Sequence, residues 1–303
     1  MHDSIKPYRG RFAPSPTGPL HFGSLVAATG SYLDARRNGG AWLVRIEDLD
    51  SPREAKGAAD AILRTLEGYG FEWDGPVLRQ SRRAAVYAAA LEHLERGGAV
   101  FPCACTRREI SDPAPGDTRE SIYPGTCRSG IPAGRRARTV RARVDDIVIA
   151  FEDRLQGRIE QTLADEVGDF VVRRADGVFA YQMAVVVDDF EQGVTDVVRG
   201  ADLLASTPRQ MLLQRRLEYP TPEYMHLPVA VDRSGEKLSK QTLAVPLPLT
   251  EAPLQVWRTL RFLGQEPPAE LRAESTSILW SWALANWRPS RIPRMRARPE
   301  DSA

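Results

Sequence analysis

The first fifty residues constrain the fold most, because they predict a strand, a helix and a second strand in close succession. Residues 8–13 (YRGRFA) read as the first strand, and a loop rich in proline and glycine follows. A helix is predicted from about Phe22 to Arg37, Gly39-Gly40 ends it, and residues 41–47 (AWLVRIE) read as the second strand. Such a βαβ unit implies a parallel sheet with a right-handed crossover, so the chain is predicted to build an α/β fold.

The α/β pattern is interrupted once and then returns. Residues 1–102 are predicted to be the first half of a Rossmann-type catalytic domain, closed by a strand at 99–101. Residues 103–174 are predicted to be an insertion, because their first part is rich in proline, glycine and arginine with little periodicity. The α/β pattern returns over 175–241, and 242–303 are predicted to form a short helical region with a basic tail. We therefore expect a split parallel sheet.

Two capping boxes are predicted to begin helices. The first is Ser51-Pro52-Arg53-Glu54, with proline at the first helical position, and the second is Thr207-Pro208-Arg209-Gln210. In each, a hydroxyl and a longer polar side chain three residues later can satisfy backbone N–H groups of the first turn.

Composition excludes several classes of protein. Of the 303 residues, 42% are apolar and 27% charged, which is ordinary for globular domains and excludes a disordered tail, a collagen-like repeat or a coiled coil. The formal net charge is +1, so any contact with nucleic acid must come from a local patch. The longest apolar run, 84–91, is far shorter than the about 18 residues of a membrane span. We expect a cytoplasmic monomer without membrane contact.

Two motifs on either side of the insertion have the chemistry of phosphate binding. In the first, a loop leads to a predicted helix start at His21, where backbone N–H groups and the helix dipole favour phosphate and Gly23 allows close approach. The second, Lys237-Leu-Ser-Lys240-Gln241, contains two of the four lysines in the chain, and two lysines around a serine can clamp a phosphate. Taken alone, the first motif is as typical of a helix cap or a core histidine, and the second of a solvated surface loop.

All three cysteines lie in the predicted insertion, as Cys103-Ala-Cys105 and then Cys127. Thiolates suit Zn²⁺, and a closed structural site needs four ligands. No histidine lies nearby, so the fourth ligand is a phenolate, a carboxylate such as Glu109 or Glu120, or water. Three buried thiols without a metal are the alternative. A zinc ion here is predicted to be structural, because the cysteines lie outside the two α/β halves.

The motifs, in this order, resemble a known family over about residues 8–241. RFAPSPTG, RIEDLD, VVDD, VVRGADLL and HLPVAVD followed by GEKLSK are similar to signatures of class I aminoacyl-tRNA synthetases, and more narrowly of the glutamyl branch. Within that branch, Cys-x-Cys…Tyr-x3-Cys is the pattern of the glutamyl-queuosine tRNA(Asp) synthetases, which implies Tyr123 as the fourth zinc ligand. The residues after Gln241 are too few for the large helical anticodon-binding part of a full glutamyl-tRNA synthetase.

The resemblance implies sites for glutamate and for ATP with Mg²⁺. Arg11 and Arg199, each at a strand end, are the implied partners of the two carboxylates, and Glu47 and Tyr181 those of the ammonium group. The full implied glutamate set is Arg11, Phe12, Ala13, Pro14, Ser15, Glu47, Tyr181 and Arg199, and the full ATP set is Thr17, His21, Gly23, Ser24, Lys237, Ser239 and Lys240.

The resemblance also implies a reaction in two steps. The α-carboxylate of glutamate attacks the α-phosphate of ATP without tRNA, with His21 and Lys240 stabilising phosphoryl charge and Lys237 holding the loop, and these three are the implied catalytic residues. Glutamate then passes to the queuosine base at the wobble position of tRNA(Asp). The alternatives are a truncated synthetase that charges a tRNA 3′ end or another acceptor, a non-catalytic RNA-binding relic, and a nucleotidylyltransferase.

The C-terminal region places tryptophans next to arginines. Such a mixture can stack on RNA and neutralise it, but Trp280, Trp282 and Trp287 are predicted instead to pack on the core. The arginines at 288–298 and those at 128–143 are candidate contacts for RNA phosphates.

Overall fold

The computed structural model describes residues 7–50, 52, 54–110, 122–232, 235–236 and 245–300. The strands are β1 (Arg9–Phe12), β2 (Ala41–Ile46), β3 (Leu78–Arg79), β4 (Val100–Cys103), β5 (Thr139–Ala142), β6 (Val148–Asp153), β7 (Gly157–Thr162), β8 (Phe170–Arg173), β9 (Asp196–Gly200), β10 (Glu223–Leu227), β11 (Val229–Val231) and β12 (Ala297–Pro299). The α-helices are α1 (Phe22–Arg37), α2 (Ala58–Gly68), α3 (Ala84–Arg96), α4 (Arg107–Ile110), α5 (Leu163–Glu166), α6 (Tyr181–Glu191), α7 (Thr207–Arg216), α8 (Ala252–Phe262) and α9 (Thr276–Asn286).

The predicted βαβ unit is confirmed. Strand β1 pairs in parallel with β2, from Arg9 opposite Ala41 to Phe12 opposite Val44, and α1 connects them. Strand β3 continues the sheet in parallel beside β2. On the other side of β1 lies β9, and the Thr195 N–H that precedes β9 donates to the Arg9 carbonyl at 2.9 Å. The order of the parallel strands therefore reverses between β1 and β9, which is where α/β folds bind ligands.

The second group of parallel strands is β9, β10 and β6. Strand β10 pairs with β9 along its whole length, with His226 opposite Arg199, and meets β6 at Tyr224 and Asp153. Strand β7 pairs with β6 antiparallel. Strand β6 falls in the predicted insertion, yet it joins the sheet of the second half, and the predicted domain boundaries stay predictions.

The strand predicted at 99–101 does not close the first α/β half. It forms β4, which pairs antiparallel with β5, and β5 pairs antiparallel with β8. The prediction of a strand is confirmed and its assignment to the parallel sheet is wrong, because an apolar run specifies burial but not its partner. The HLPVAV segment at 226–231, which the sequence predicts to be one strand, contributes to two strands, β10 and β11, separated by Pro228.

The two predicted capping boxes have different outcomes. Helix α2 begins at Ala58, after Gly57 in the left-handed conformation with φ 74°, while Ser51 and Arg53 lie outside the described residues. Helix α7 does begin at Thr207, but that side chain caps nothing and instead accepts a hydrogen bond from Arg199 at 2.8 Å. The N-cap residue is Ser206, so Thr207 is already the first helical residue and its hydroxyl is not in the capping position.

The predicted packing of the C-terminal tryptophans is confirmed. Trp280 is buried against Tyr32 and Phe71 and donates its indole N–H to the Tyr69 carbonyl at 2.8 Å. Trp287 is also buried in this apolar cluster, and Trp282 packs against it from the outside. Helices α8 and α9 therefore close the core on the side of α1. Among the described residues no helix is both long and apolar enough to cross a membrane.

A buried carboxylate joins distant parts of the chain. Asp34 on α1 is 0% exposed and accepts hydrogen bonds from the Tyr8 hydroxyl at 2.6 Å and from Arg154 at 2.7 Å. The indole N–H of Trp287 approaches the same carboxylate at 3.4 Å. Three segments that are far apart in sequence therefore converge on one negative charge.

Replacing Asp34 by asparagine is expected to lower the free energy of unfolding by about 2–4 kcal/mol, because the guanidinium of Arg154 loses its buried counter-charge. Urea denaturation followed by circular dichroism measures the change. The matched control is Asp60→Asn, since the side chain of Asp60 is 63% exposed and pairs with Arg79 at the surface. The control is expected to cost less than about 1 kcal/mol, and equal losses in the two variants would contradict the assignment.

Candidate active site

A cavity of about 650 Å³ opens where the strand order reverses between β1 and β9. It brings together, from both halves of the chain, the residues implied for glutamate and most of those implied for ATP. Glu236, next to the lysine motif, also lines it, while Lys237, Ser239 and Lys240 lie outside the described residues. The sequence-derived residues in the cavity wall are Arg11, Phe12, Ala13, Pro14, Ser15, Thr17, His21, Gly23, Ser24, Glu47, Tyr181 and Arg199.

One end of the cavity is the beginning of helix α1. His21 has an extended backbone at the N-cap position, and Gly23 and Ser24 in the first turn line the cavity. The first N–H groups of a helix have no partner within the helix, and the dipole makes this end positive. The end of the cavity at α1 can therefore bind a phosphate group.

The opposite wall depends on Asp189 of α6, which the sequence analysis did not single out as a site residue. Its carboxylate lies 3.2 Å from Nε of Arg11 and 2.7 Å from Nη1 of Arg45, and all three side chains are buried. Burial alone raises the pKa of Asp189, but Arg11 and Arg45 outweigh it and hold that pKa below its usual value. Asp189 therefore stays ionised and fixes both guanidinium groups.

The neighbouring Asp188 attaches α6 to the first half of the chain. Its carboxylate accepts hydrogen bonds from Gln80 at 2.7 Å, from the Tyr87 hydroxyl at 2.8 Å and from Arg83 at 2.6 Å. The sequence signal for this pair was the VVDD motif, in which two acidic residues end a run of buried apolar residues on one helix. Carboxylates are almost never buried unless they are paired.

Glu47, at the end of β2, is the buried carboxylate that faces the cavity. Arg45 pairs with it at 3.3 Å. Burial raises the pKa of Glu47, although Arg45 and Arg11 oppose the change. A cation bound in the cavity beside Glu47 would lower this pKa and favour the ionised carboxylate.

Arg199, at the carboxyl end of β9, is held by neutral partners. Its Nε donates to Nε2 of His226 at 3.0 Å, and its Nη2 donates to the hydroxyl of Thr207 at 2.8 Å. Its Nη1 is buried and has no hydrogen-bond partner among the described residues. Arg199 itself lines the cavity, and a buried N–H group without a partner favours a ligand that accepts hydrogen bonds.

His226 is neutral in the folded protein. Burial, followed by the nearby positive charge of Arg199, outweighs the favourable effect of Asp153 and lowers the pKa of His226 to about 4. Asp153 lies 2.6 Å from Nδ1 of the ring, and the hydrogen bond from His226 helps keep the pKa of Asp153 below its usual value despite burial. His226 and Asp153 were not among the sequence-derived site residues, although His226 begins the HLP motif.

The three cysteines form a second cluster, in the antiparallel part of the fold. Their sulfur atoms lie within 4.8 Å of one another and could hold a metal ion. The hydroxyl of Tyr123 lies 3.3 Å from the sulfur of Cys103 and 3.6 Å from that of Cys105, so all four sequence-derived ligands, Cys127 included, converge. All four side chains are buried, and the cysteines form no disulfide.

Of the carboxylates weighed as alternative ligands, Glu109 points away from the cysteines. Glu109 is held at the surface by Thr106 and by Arg135, at 2.9 Å, and these hydrogen bonds lower its pKa to about 2. Glu120 lies outside the described residues. The guanidinium of Arg141 sits 4.1 Å from the centre of the Tyr123 ring, which adds positive charge beside the thiols.

The geometry is that of a class I tRNA synthetase catalytic domain, and comparison with known proteins agrees. Residues 8–252 match the family described as tRNA synthetases class I (E and Q), catalytic domain. A glutamyl-Q tRNA(Asp) synthetase of Dechloromonas aromatica is 60% identical over 95% of this chain and 96% of that protein, and one of Pseudomonas aeruginosa is 53% identical over 97% and 98%. The chain belongs to the glutamyl-Q tRNA(Asp) synthetase family, as the sequence motifs predicted.

Solved structures extend the likeness to three dimensions. A glutamate tRNA ligase from Elizabethkingia meningosepticum, solved in complex with its amino acid, superposes with a TM-score of 0.80 at 25% identity, covering 97% of this chain and 67% of that one. A glutamate-tRNA synthetase from Elizabethkingia anophelis gives 0.79 at 26% identity, covering 97% and 68%. The predicted α/β class I synthetase fold is confirmed.

Stability is expected to depend on His226 below neutral pH. Its pKa is about 4 in the folded protein against an ordinary 6.5, so between these values the unfolded chain binds a proton that the folded protein does not. The free energy of unfolding therefore falls as the pH falls, by about 2 kcal/mol from this group between about pH 6.5 and pH 5. Urea denaturation at several pH values measures this slope.

The variant His226→Gln lacks the titrating group and is the control for this slope. Over the same pH range, the variant is expected to lose about 2 kcal/mol less free energy of unfolding than the wild type. A variant that loses stability with pH as steeply as the wild type would show that His226 is not the titrating group.

Proposed function

We propose that this protein activates L-glutamate with ATP in the absence of tRNA, and then transfers glutamate to the queuosine base at the wobble position of tRNA(Asp). The observation that carries the proposal is that Arg199 lines the cavity while its buried Nη1 has no hydrogen-bond partner among the described residues. A carboxylate is well suited to accept hydrogen bonds from a guanidinium, because it carries the opposite charge and matches its planar geometry. A cytoplasmic location follows from the proposed use of ATP and tRNA(Asp).

The cavity matches the charges of glutamate. Arg199 and Arg11 receive the carboxylates, and Glu47 with the hydroxyl of Tyr181 receives the ammonium group. Burial raises the pKa of Tyr181, so its hydroxyl stays protonated and can both donate and accept. Held in this way, the α-carboxylate points toward the beginning of α1, where the phosphates of ATP bind.

Catalysis is then positioning and electrostatics. ATP arrives with Mg²⁺, which neutralises phosphate charge when bound. The α-carboxylate forms a bond to the α-phosphorus, pyrophosphate leaves, and glutamyl-adenylate remains. His21 and the first turn of α1 stabilise the negative charge that builds on the phosphoryl oxygens. From the sequence motif, Lys240 shares this role and Lys237 holds its loop; both lie outside the described residues.

A second cavity, of about 360 Å³, supports the queuosine base as acceptor. It shares Glu47 and Tyr181 with the first cavity and adds Asp50 and Glu54. One oxygen of Glu54 is buried without a partner in the described part of the chain, and burial, followed by repulsion from Asp48 and Asp50, raises the pKa of Glu54. Such a cavity fits a group with hydroxyls beside a protonated amine, which the queuosine side chain has and the 3′ ribose of tRNA lacks.

The test has two stages. In the first, ATP–pyrophosphate exchange is measured without RNA in the presence of glutamate, glutamine or aspartate, and exchange is expected with glutamate alone. In the second, labelled glutamate is offered with tRNA(Asp) that contains or lacks queuosine, and only the modified tRNA is expected to be labelled. Exchange that appears only with tRNA, or labelling of tRNA without queuosine, would support the truncated-synthetase alternative.

We further propose that the cysteine cluster holds one structural zinc ion, with Tyr123 as the fourth ligand. With Zn–S bonds of about 2.3 Å, two sulfurs of a tetrahedral site lie about 3.8 Å apart. The sulfurs of Cys105 and Cys127 are 3.8 Å apart. Burial raises the pKa of Cys103, but hydrogen bonds, first that of Tyr123, outweigh it and lower that pKa to about 7, which favours the thiolate that a metal needs.

Zinc content tests this assignment. Elemental analysis of the purified protein is expected to give about one zinc per chain, and Cys127→Ser is expected to lose it. Tyr123→Phe keeps three thiolates, so it is expected to bind zinc about tenfold or more weakly in competition with a chelator. Tyr32→Phe, which removes a hydroxyl from another buried ring, is the control and is expected to bind zinc like the wild type. Unchanged affinity in Tyr123→Phe would assign the fourth position to another ligand.

We also propose that residues 103–174 form an insertion between the two halves of the catalytic domain, as the sequence predicts. Residues 103–174 contain the cysteine cluster, and their strands β5 and β8 form the antiparallel sheet with β4. The arginines considered for RNA contact include Arg294 and Arg296, which are exposed, and Arg136 and Arg138 on the other segment, which are exposed as well. Both segments remain candidate contacts for the tRNA backbone.

A further inference from the structure

We propose that His226, Asp153 and Thr207 form a positioning set that holds Arg199 in place as a carboxylate receptor while leaving its charge uncompensated. The inference rests on the proposed function, because it assigns glutamate as the ligand of Arg199. It concerns residues that line neither cavity and that do not touch the substrate in the proposed arrangement.

The register of the sheet creates the set. His226 and Arg199 are opposite each other on the parallel strands β10 and β9, and Asp153 ends the next strand, β6. Thr207, the first residue of α7, reaches Arg199 from the other side. His226 and Thr207 are both 0% exposed, so neither side chain is free to turn away.

Asp153 decides which nitrogen of His226 carries the proton. Its Oδ1 accepts the N–H groups of Leu155 at 3.0 Å and Gln156 at 2.8 Å, which keeps the carboxylate fixed and ionised. Its Oδ2 lies 2.6 Å from Nδ1 of His226. An ionised carboxylate only accepts hydrogen bonds, so Nδ1 carries the proton and Nε2 presents a lone pair to Nε of Arg199.

Thr207 binds the same edge of the Arg199 guanidinium as His226 does. Its hydroxyl accepts from Nη2 of Arg199 at 2.8 Å, and its own proton has two acceptors in reach, Nε2 of His226 at 3.2 Å and the Leu203 carbonyl at 3.5 Å. With Nε and Nη2 engaged, Nη1 is the nitrogen left without a partner in the described part of the chain, on a side chain that lines the cavity. The guanidinium is rigid and planar, so fixing one edge fixes the direction of the other.

The neutrality of these partners distinguishes Arg199 from the other arginines of the site. Arg11 pairs with Asp189, and Arg45 pairs with Asp189 and Glu47. Within the described ranges no carboxylate lies in ion-pair distance of Arg199, since the imidazole ring separates it from Asp153. A direct ion pair would orient Arg199 equally well but would compete with the carboxylate of glutamate. Orientation by a histidine and a threonine avoids this competition.

Two pairs of variants test the inference, with ATP–pyrophosphate exchange measured without RNA. His226→Asn can keep the hydrogen bond to Asp153 but places no acceptor near Nε of Arg199, whereas the oxygen of His226→Gln can replace Nε2. Thr207→Val removes the hydroxyl at nearly constant shape, whereas Thr207→Ser retains it. We expect His226→Asn and Thr207→Val to raise the KM for glutamate about tenfold or more, with the KM for ATP and kcat changed less than about threefold. The Gln and Ser variants are expected to stay within about threefold of the wild type.

Each outcome decides one question. Absent glutamate-dependent exchange in the wild type would overturn the proposed function itself, before any variant is compared. Given wild-type exchange, equal KM values in the two members of both pairs would overturn the positioning role. So would losses that fall on the KM for ATP or on kcat as much as on the KM for glutamate, because they indicate general damage. Because the Thr207 pair is nearly isosteric, it keeps the test decisive even if His226→Asn fails to fold.

Discussion

The buried contact between α6 and the two arginines of the first half is the interaction on which the rest of the structure depends. Asp189 reaches Arg11 on β1 and Arg45 on β2, from a helix that begins 170 residues further along the chain than Arg11. Buried charged groups are stable only when each is paired, and removing one partner leaves the others as uncompensated buried charges. The two halves of the parallel sheet therefore meet with a fixed geometry, and the cavity between β1 and β9 inherits that geometry.

The site uses arginine in two physical forms. Arg45 is neutralised by carboxylates and acts as a structural cross-link, while Arg199 is oriented by uncharged groups and has no carboxylate partner among the described residues. The cysteine cluster has the opposite arrangement of charge, since the guanidinium of Arg141 lies over the Tyr123 ring beside the three thiols. In each case the neighbours of a charged group, more than its identity, determine its role.

The sequence predicts those parts of the fold and of the site that depend on local hydrophobic periodicity or on long motifs. The βαβ unit, the start of α1 beside His21 and the convergence of three cysteines on Tyr123 could be predicted. The partner of β4 could not be predicted, because β4 pairs with β5, which lies about forty residues further along the chain. Asp153 and His226 were missed because each is an ordinary residue until the register of β6, β9 and β10 places it beside Arg199.

The last strand has a consequence for how the protein is made. Strand β12 pairs with β11, and Trp287 reaches back to Asp34 on the first helix. During synthesis from the N-terminus, the first βαβ unit emerges from the ribosome long before these partners exist, and domains generally fold as units once their chain is available. A nascent chain of this protein therefore carries an incompletely covered first half through most of its translation. Its native packing is completed only after α9, Trp287 and β12 have left the exit tunnel.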